Sequence, residues 1–268
     1  MARALIGFLS DFGMADYYVA AVKGVIYSMC PEAEVVDITH VISSWGVGEA
    51  CYVLSCCYRD FPPGTVFLAV VDPGVGTSRK PIVIESGGYF FVGPDNGLLT
   101  CVVPKPYRAW EIVRVPGGPR KTSYTFHGRD IFAPVAAFLA CRGKVEEIGE
   151  EYADPVEGAL PEPLVEDDKF LAEVLHVDKF GNVALNIKEG LLASLGAPSE
   201  LVLDMGEGEV RIPFRRTFGE VPAGNLVAYI DSCGYLEIAV NQGSAAKKLK
   251  LRPGMRVGVK FITATNTH

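Results

Sequence analysis

Three side chains capable of acid–base chemistry lie in two short polar segments. Asp72 directly follows the apolar, β-branched run 66–71, and Arg79 lies a few residues further on in a segment rich in Pro and Gly. His127 lies in the segment FHGRD, just before a second apolar run. An acid and a base beyond the end of a buried strand are well placed for chemistry. A structural interpretation stays open, because Asp-Pro-Gly is a common turn and a lone histidine beside an aromatic residue is often structural.

The elements that must position these residues alternate between strand and helix. Residues 5–9 and 66–71 are predicted as buried strands and residues 34–38 as a further strand, whereas residues 16–30 and 47–58 are predicted as helices. This alternation is typical of an α/β domain with a mostly parallel sheet, in which ligands bind beyond the carboxyl ends of the strands. Further predictions are a hairpin over 82–84 and 89–92, a strand over 112–115 and a helix over 131–140.

The composition changes after Gly143. We predict an N-terminal α/β domain over 1–150 and a linker over 151–168, which is rich in Glu, Asp and Pro. Residues 169–268 carry short strand-like runs and are predicted as a small all-β barrel or sandwich. The predicted strands are 170–177, 183–187, 201–205, 210–213, 226–230, 236–240 and 255–261.

Composition narrows the classes of function. The chain of 268 residues has a formal net charge of -7 and no basic cluster, so nucleic-acid binding is not expected. No apolar run approaches the ~20 residues of a membrane span, and no signal peptide is recognisable, so we expect a cytoplasmic protein without membrane contact. The seven cysteines are expected to be buried free thiols, with disulfides possible in a hyperthermophile. The histidine and cysteine spacing predicts no metal site.

Two other polar clusters each allow two interpretations. Asp11 could cap the following helix or bind a ligand hydroxyl, although Asp16 is the better N-cap by position. Residues 178–182 suit a hairpin loop, or a nucleobase pocket in which Phe180 stacks and Asn182 pairs with a base edge. In the second interpretation Asp178 would hold a cationic amine. Phe218 and Ser232 could complete that pocket.

Taken in order, six segments resemble the S-adenosylmethionine (SAM) hydroxide adenosyltransferases, adenosyl-forming SAM hydrolases related to the fluorinase and chlorinase. The segments are SDFGMADYYVAAVKGVI, VVDPGVGTSRK, GPDNGLLT, FHGRDIFAP, FGN and SCGYLEIAVNQGSA. The resemblance implies a Rossmann-like N-terminal domain, a C-terminal β-barrel and a homotrimer. It also implies that SAM binds where the first domain of one subunit meets the second domain of its neighbour.

The resemblance also assigns roles to single residues. The expected catalytic set is Asp72, Arg79 and His127, which would activate water for attack on the ribose 5′ carbon and give adenosine and L-methionine without a cofactor. The expected substrate-binding residues are Asp11 for the ribose hydroxyls, Trp45 for the sugar side, Phe180 and Asn182 for adenine, Asp178 for the methionine amine, Ser232 for its carboxylate, and also Asp16 and Phe218.

Differences from the halogenases favour water as the nucleophile. Those enzymes carry tyrosines at the positions of Asp72 and His127, and the fluorinase has a long insertion between the positions of Ile82 and Val92. Cys233 and Ala184 stand where the fluorinase has arginine and tryptophan, so contacts to methionine and adenine are expected to differ. The alternatives are a halide-dependent adenosyltransferase, a non-catalytic SAM or adenosine sensor, and a metal-dependent phosphohydrolase.

Overall fold

The computed structural model describes residues 4–117, 122–166, 169–194, 196, 198–206 and 208–263. The chain divides into a first unit, Met1–Ala159, and a second unit, Leu160–His268. The division falls within the predicted linker 151–168, of which residues 167 and 168 lie outside the described residues. The end of the predicted second domain, including the terminal His268, also lies outside them.

The first unit is built on a seven-stranded sheet with the order β2-β1-β3-β5-β4-β6-β7. Its strands are β1 (Ala4–Ser10), β2 (Ala33–Thr39), β3 (Val66–Val70), β4 (Pro81–Ser86), β5 (Tyr89–Pro94), β6 (Arg108–Ile112) and β7 (Gly149–Glu151). Its α-helices are α1 (Tyr18–Met29), α2 (Val47–Cys57), α3 (Leu98–Val102) and α4 (Ala133–Ala140), the last preceded by one π-helical turn, Gly128–Phe132.

This sheet is mixed, so the prediction of a mostly parallel, Rossmann-like sheet is only partly correct. Strands β2, β1, β3 and β5 pair in parallel, whereas β4 pairs antiparallel with both β5 and β6, and β6 with β7. The reversal occurs because the tight turn at Gly87 and Gly88, both with positive φ, joins β4 directly to β5. The predicted hairpin is therefore present, and it ends the parallel half of the sheet.

The two central parallel strands, β1 and β3, are buried on both faces. All five residues of β3 are buried, and α1 and α4 pack together on one side of the sheet. Strands without an exposed face read as continuous apolar runs, which is why 5–9 and 66–71 were recognisable in the sequence. Helix α1 begins at Tyr18, later than predicted, and β6 ends at Ile112, where the predicted strand began.

The second unit is a sheet with the strand path β12-β11-β15-β9-β10-β14-β13, with β8 paired to β9. Its elements are β8 (Leu164–Glu166), β9 (Lys169–Val177), β10 (Val183–Lys188), α5 (Glu189–Ser194), β11 (Pro198–Asp204), β12 (Glu209–Pro213), β13 (Leu226–Ile230), β14 (Tyr235–Val240), α6 (Ala245–Leu249) and β15 (Arg256–Thr263). A bridge between Phe214 and Ala228 links the two ends of the path, so the sheet is nearly closed into a barrel. All seven strands predicted here are present, and α5 and α6 are two short helices that the all-β prediction omitted.

Disulfides correct the expectation that the cysteines are free. Cys30 is bonded to Cys141, which joins the C-terminal ends of α1 and α4, and Cys51 is bonded to Cys101, which joins α2 to α3. Because the sulfurs of Cys30 and Cys141 are bonded to each other, these residues and nearby Glu32 do not form a cation site. No helix among the described residues is both long enough and apolar enough to span a membrane.

Candidate active site

Asp11 and Asp72 lie at the same edge of the sheet, each just beyond the carboxyl end of a strand. Strands β1 and β3 are parallel neighbours, with Ser10 opposite Val70, so the two carboxylates follow adjacent strands at their carboxyl ends. That is the edge where ligands bind in sheets of this kind. The register of two buried strands therefore brings together two residues that are far apart in the sequence.

Asp72 and Arg79 form a buried ion pair. The Arg79 Nε donates to Asp72 Oδ1 at 2.9 Å, and its Nη2 donates to Asp72 Oδ2. The side chains are only 8% and 9% exposed, respectively. The guanidinium also lies 5.2 Å from the centre of the Phe132 ring. Two parallel bonds to one carboxylate fix both the position and the plane of the guanidinium.

His127 completes the group through the same guanidinium. Nη2 of Arg79 lies 2.8 Å from His127 Nδ1. Arginine has only donors, so Nδ1 must accept, and the neutral ring then carries its proton on Nε2. Burial lowers the pKa of His127, and the adjacent Arg79 cation lowers it further, against the opposing effects of Asp72 and Asp130. His127 is therefore neutral at neutral pH and offers an N–H donor at Nε2.

Two residues that the sequence did not indicate support this group. Asn96 donates from Nδ2 to the carbonyl oxygen of Val71 at 2.8 Å, which fixes the backbone just before Asp72. Gly76, in the loop between Asp72 and Arg79, has a φ of +77°, and a Cβ there would lie 2.5 Å from the Tyr124 carbonyl oxygen. The loop therefore packs directly against the segment that carries His127. In the sequence, both residues were recognisable only as members of turn-rich segments. Those segments did not indicate which residues they would contact.

Asp11 lines a cleft of about 170 Å³ together with Asp72 and His127. The cleft is lined by Asp11, Phe12, Trp45, Val70, Asp72, Val75, Thr125, Phe126, His127 and Gly128. Burial raises the pKa of Asp11, and the Asp72 charge contributes in the same direction, while a hydrogen bond from the backbone of Trp45 opposes both. Three of the predicted residues, Asp11, Trp45 and His127, thus share one cleft with Asp72.

Trp45 is held in an uncommon conformation beside Asp11. Its φ is +64°, and its backbone N–H donates to Asp11 Oδ2 at 2.9 Å. The side chain is 70% exposed. A left-handed backbone at a bulky residue costs free energy, and such positions cluster at functional sites. This contact links Asp11 to the loop that presents the indole ring.

Asp16 does not cap helix α1. The N-cap is Tyr17, without a side-chain cap bond, and Asp16 is exposed in the segment before it. That part of the prediction is wrong, because the helix begins two residues after Asp16. Its assignment to substrate binding stays a prediction.

In the second unit, Asp178 organises the loop between β9 and β10. Its Oδ1 accepts from the backbone N–H groups of Phe180 and Asn182 at 2.9 and 2.8 Å, and its Oδ2 accepts from Asn182 Nδ2 at 3.1 Å. Phe180, in the same loop, is 74% exposed. Phe218 is 53% exposed, and Ser232 is exposed in the turn between β13 and β14. The hairpin-loop interpretation is confirmed, and the loop also presents an aromatic face.

The comparisons with known proteins agree with the two-unit division. Residues 6–149 match the SAM hydroxide adenosyltransferase N-terminal domain, and residues 172–258 match the C-terminal domain of the same family. The chain belongs to the SAM hydroxide adenosyltransferase family. Membership in this family agrees with the resemblance carried by the six sequence segments.

Similar family members include both hydrolases and halogenases. A protein of Thermus thermophilus named (R)-S-adenosyl-L-methionine hydrolase is 43% identical, over 93% of this chain and 97% of its own. One of the same name from Salinispora tropica is 41% identical, over 95% and 97%. A fluorinase of Nocardia brasiliensis is 32% identical, over 96% and 97%. A solved structure from Thermotoga maritima, an uncharacterized conserved protein, is 40% identical with a TM-score of 0.87, over 95% and 99%.

Proposed function

We propose that this protein hydrolyses SAM to adenosine and L-methionine. The observation that carries the proposal is the buried chain of contacts from Asp72 through Arg79 to His127 at a cleft shared with Asp11. The relatives named (R)-S-adenosyl-L-methionine hydrolase support SAM as the substrate. The fluorinases, at 29–32% identity, are more distant from this chain than those two hydrolases.

The reaction forms a bond between a water oxygen and the ribose 5′ carbon and breaks the bond from that carbon to sulfur. The electron pair of the broken bond goes to sulfur, so methionine leaves as a neutral thioether and needs no acid. The water loses one proton. A sulfonium substrate therefore requires a positioned nucleophile above all, and no cofactor is part of the proposal.

Arg79 and His127 supply donors for that nucleophile. Arg79 keeps its charge, and His127 has its Nδ1 occupied by Arg79 and its Nε2 protonated, so neither is poised to take a proton. We propose that the two groups bind and polarise the attacking oxygen and stabilise developing hydroxide, and that the proton passes to solvent. Asp72 orients Arg79 and balances its charge. Donors fixed before the reaction avoid the cost of reorganisation.

The cleft holds only part of the substrate. Its volume of about 170 Å³ is below the ~300–1,000 Å³ typical of ligand pockets. We propose that Asp11 and Trp45 bind the ribose there and that Asp16 also contributes to substrate binding. The adenine and methionine groups would be bound by Phe180, Asn182, Phe218, Asp178 and Ser232 of a neighbouring subunit in a homotrimer. Size-exclusion chromatography with light scattering tests the trimer, and fractionation of source cells tests the predicted cytoplasmic location.

Chromatography of the products from SAM tests the function. Adenosine and L-methionine should appear in equal amounts, with chelator present and without halide. Formation of 5′-chloro-adenosine in chloride at the expense of adenosine would instead indicate a halogenase. Tight SAM retention without products would indicate a sensor, and loss of activity in chelator would indicate metal-dependent chemistry. The short β4–β5 turn and the Asp72–Arg79–His127 group favour water over halide.

A further inference from the structure

Ser10 and His40 form a buried polar pair directly behind the turn that carries Asp11. Ser10 has no exposed surface, and His40 is 3% exposed. Ser10 Oγ lies 2.8 Å from His40 Nδ1, and His40 Nε2 lies 3.1 Å from Asp37 Oδ1. Lys23 of α1 donates to the other Asp37 oxygen at 2.6 Å. Four side chains thus connect the surface of α1 to the buried end of β1.

The direction of each hydrogen bond in this chain is fixed. The Asp37 carboxylate can only accept, so His40 carries a proton on Nε2. Burial lowers the pKa of His40, against the opposing effect of Asp37, so the ring is neutral and its Nδ1 accepts from the Ser10 hydroxyl. Ser10 Oγ in turn accepts from the Phe12 backbone N–H at 3.3 Å. Serine, histidine and aspartate also form nucleophilic triads, but the full burial of Ser10 excludes that role here.

His40 holds the chain on both sides of Asp11. Its ring binds Ser10, the residue before Asp11, and its carbonyl oxygen accepts from the Gly13 backbone N–H at 2.6 Å. Gly13 has a φ of +70°, as expected where the chain turns sharply. Further along the loop that follows His40, the backbone N–H of Trp45 donates to Asp11 Oδ2. Residues 40–45 therefore bond to the chain on both sides of Asp11 and to one oxygen of its carboxylate.

We propose that His40 is a positioning residue for Asp11 and acts through Ser10 to hold that carboxylate at the cleft. The inference rests on the proposed function where it assigns the ribose hydroxyls to Asp11. It adds that the His40 side chain, which has no access to substrate, controls how well Asp11 is positioned to bind those hydroxyls. A purely structural His40 would affect folding stability, whereas a positioning His40 also affects the KM for SAM, and does so only while Asp11 is present.

A double-mutant cycle between Ser10→Ala and Asp11→Asn tests this. Ser10→Ala removes the link with little change in volume and should raise KM about 3- to 10-fold, the effect of one hydrogen bond. In the Asp11→Asn background the same change should alter KM less than about 2-fold. Equal effects in both backgrounds, or no effect of Ser10→Ala alone, would overturn the proposal.

Thr65→Val is the matched control. Thr65 directly precedes β3, at the opposite end of that strand from Asp72, and is 1% exposed. Its hydroxyl donates to the Pro62 carbonyl at 2.7 Å, so this variant also loses a buried hydroxyl. It should lower the melting temperature as Ser10→Ala does, without raising KM. A KM increase equal to that of Ser10→Ala would mean that any buried hydroxyl has this effect, and the proposal would fail.

A measurement without substrate separates this inference from the proposed function. The sequence has two tryptophans, Trp45 and Trp110, so Trp45 is the one tryptophan left in the Trp110→Phe variant. Since the Trp45 backbone donates to Asp11, loosening the Asp11 turn should lower the anisotropy of Trp45 emission in Ser10→Ala but not in Thr65→Val. If wild-type protein leaves SAM intact, the proposed function fails, and this anisotropy alone decides the role of His40. Unchanged anisotropy would contradict it.

Discussion

Arg79 donates a hydrogen bond from Nη2 to Nδ1 of His127 across 2.8 Å, and the same guanidinium is bonded twice to Asp72. Arg79 therefore sets both the tautomer of the histidine and its position. The group works as a unit, because each end depends on the residue in the middle. A change in pH and a replacement of Arg79 by a cation of another shape should therefore affect the proposed reaction differently.

Acid should abolish activity through His127. Burial and Arg79 lower its pKa below 6.5, and protonation would place a hydrogen on Nδ1, where Arg79 already donates. We expect kcat/KM to be flat at neutral pH and to fall only below pH 6.5. The unfolded chain binds this proton more readily than the folded protein, so folding stability should also fall as pH decreases through that range.

His127→Asn separates this effect from other acidic limbs. An Asn side-chain oxygen can still accept from Arg79, and it does not titrate. The variant should be slower and should lose the component of the acid limb that belongs to His127, while any contribution of Asp11 or His40 persists. A limb centred above pH 6.5, or one that is identical in His127→Asn, would contradict the assignment.

Arg79→Lys should reduce turnover more than binding. A lysine ammonium cannot bond to both Asp72 oxygens and reach His127 in the same plane, so the nucleophile would lose its oriented donors. We expect kcat to fall about 10²-fold or more, with the Kd for SAM changed less than about 3-fold. Single-turnover kinetics measures the rate of the chemical step, and calorimetry measures the Kd for SAM.

Arg108→Lys is the control for Arg79→Lys. Arg108 pairs with Glu151 at 2.8 Å and stacks over Trp110 on β6, outside the cleft. Its kcat should equal that of the wild type. If Arg79→Lys loses binding and turnover in the same proportion, Arg79 is a substrate ligand and not part of water activation.

Gly76→Ala should impair both folding and turnover. The positive φ disfavours any side chain, and the new Cβ would meet the Tyr124 carbonyl oxygen at 2.5 Å, pushing apart the segments that carry Arg79 and His127. Gly64→Ala is a matched control, since its φ is +90° and nothing lies within 4 Å of its Cβ position. Both variants should lose about 1 kcal/mol of stability or more, but only Gly76→Ala should lower kcat. Equal kcat in the two variants would show that the close contact has no role in the site.

The Cys30–Cys141 disulfide should stabilise the first unit. It closes a sequence separation of 111 residues and joins the ends of α1 and α4. Replacing both cysteines with alanine should cost about 2–4 kcal/mol in urea denaturation. Cys57→Ala, at a free cysteine, is the control and should change stability by less. A double variant as stable as the wild type would show that the cross-link contributes nothing.

The sequence by itself determined most elements and the chemistry available to them. Buried strands such as β1 and β3 are continuous apolar runs, and the strands of the second unit were recognisable one by one, because side-chain patterns are local properties. The six motif segments, taken in order, were enough to indicate the family and to single out Asp72, Arg79 and His127. Apart from the β4–β5 hairpin, the antiparallel pairings of the first sheet were not predicted, and neither were the Cys30–Cys141 and Cys51–Cys101 disulfides, since pairing partners are not encoded locally.

Only the tertiary structure decided how these side chains act. The parallel register of β1 and β3 brings Asp11 beside Asp72, and the loop at Gly76 places Arg79 against His127, so that Nδ1 of the histidine accepts and its Nε2 carries the proton. Sequence reasoning did not single out His40, because its partners Ser10 and Gly13 lie far from it in the sequence. Hydrogen bonds between segments distant in sequence require donor–acceptor distances that are correct to within a few tenths of an ångström. Folding sets those distances, and composition does not.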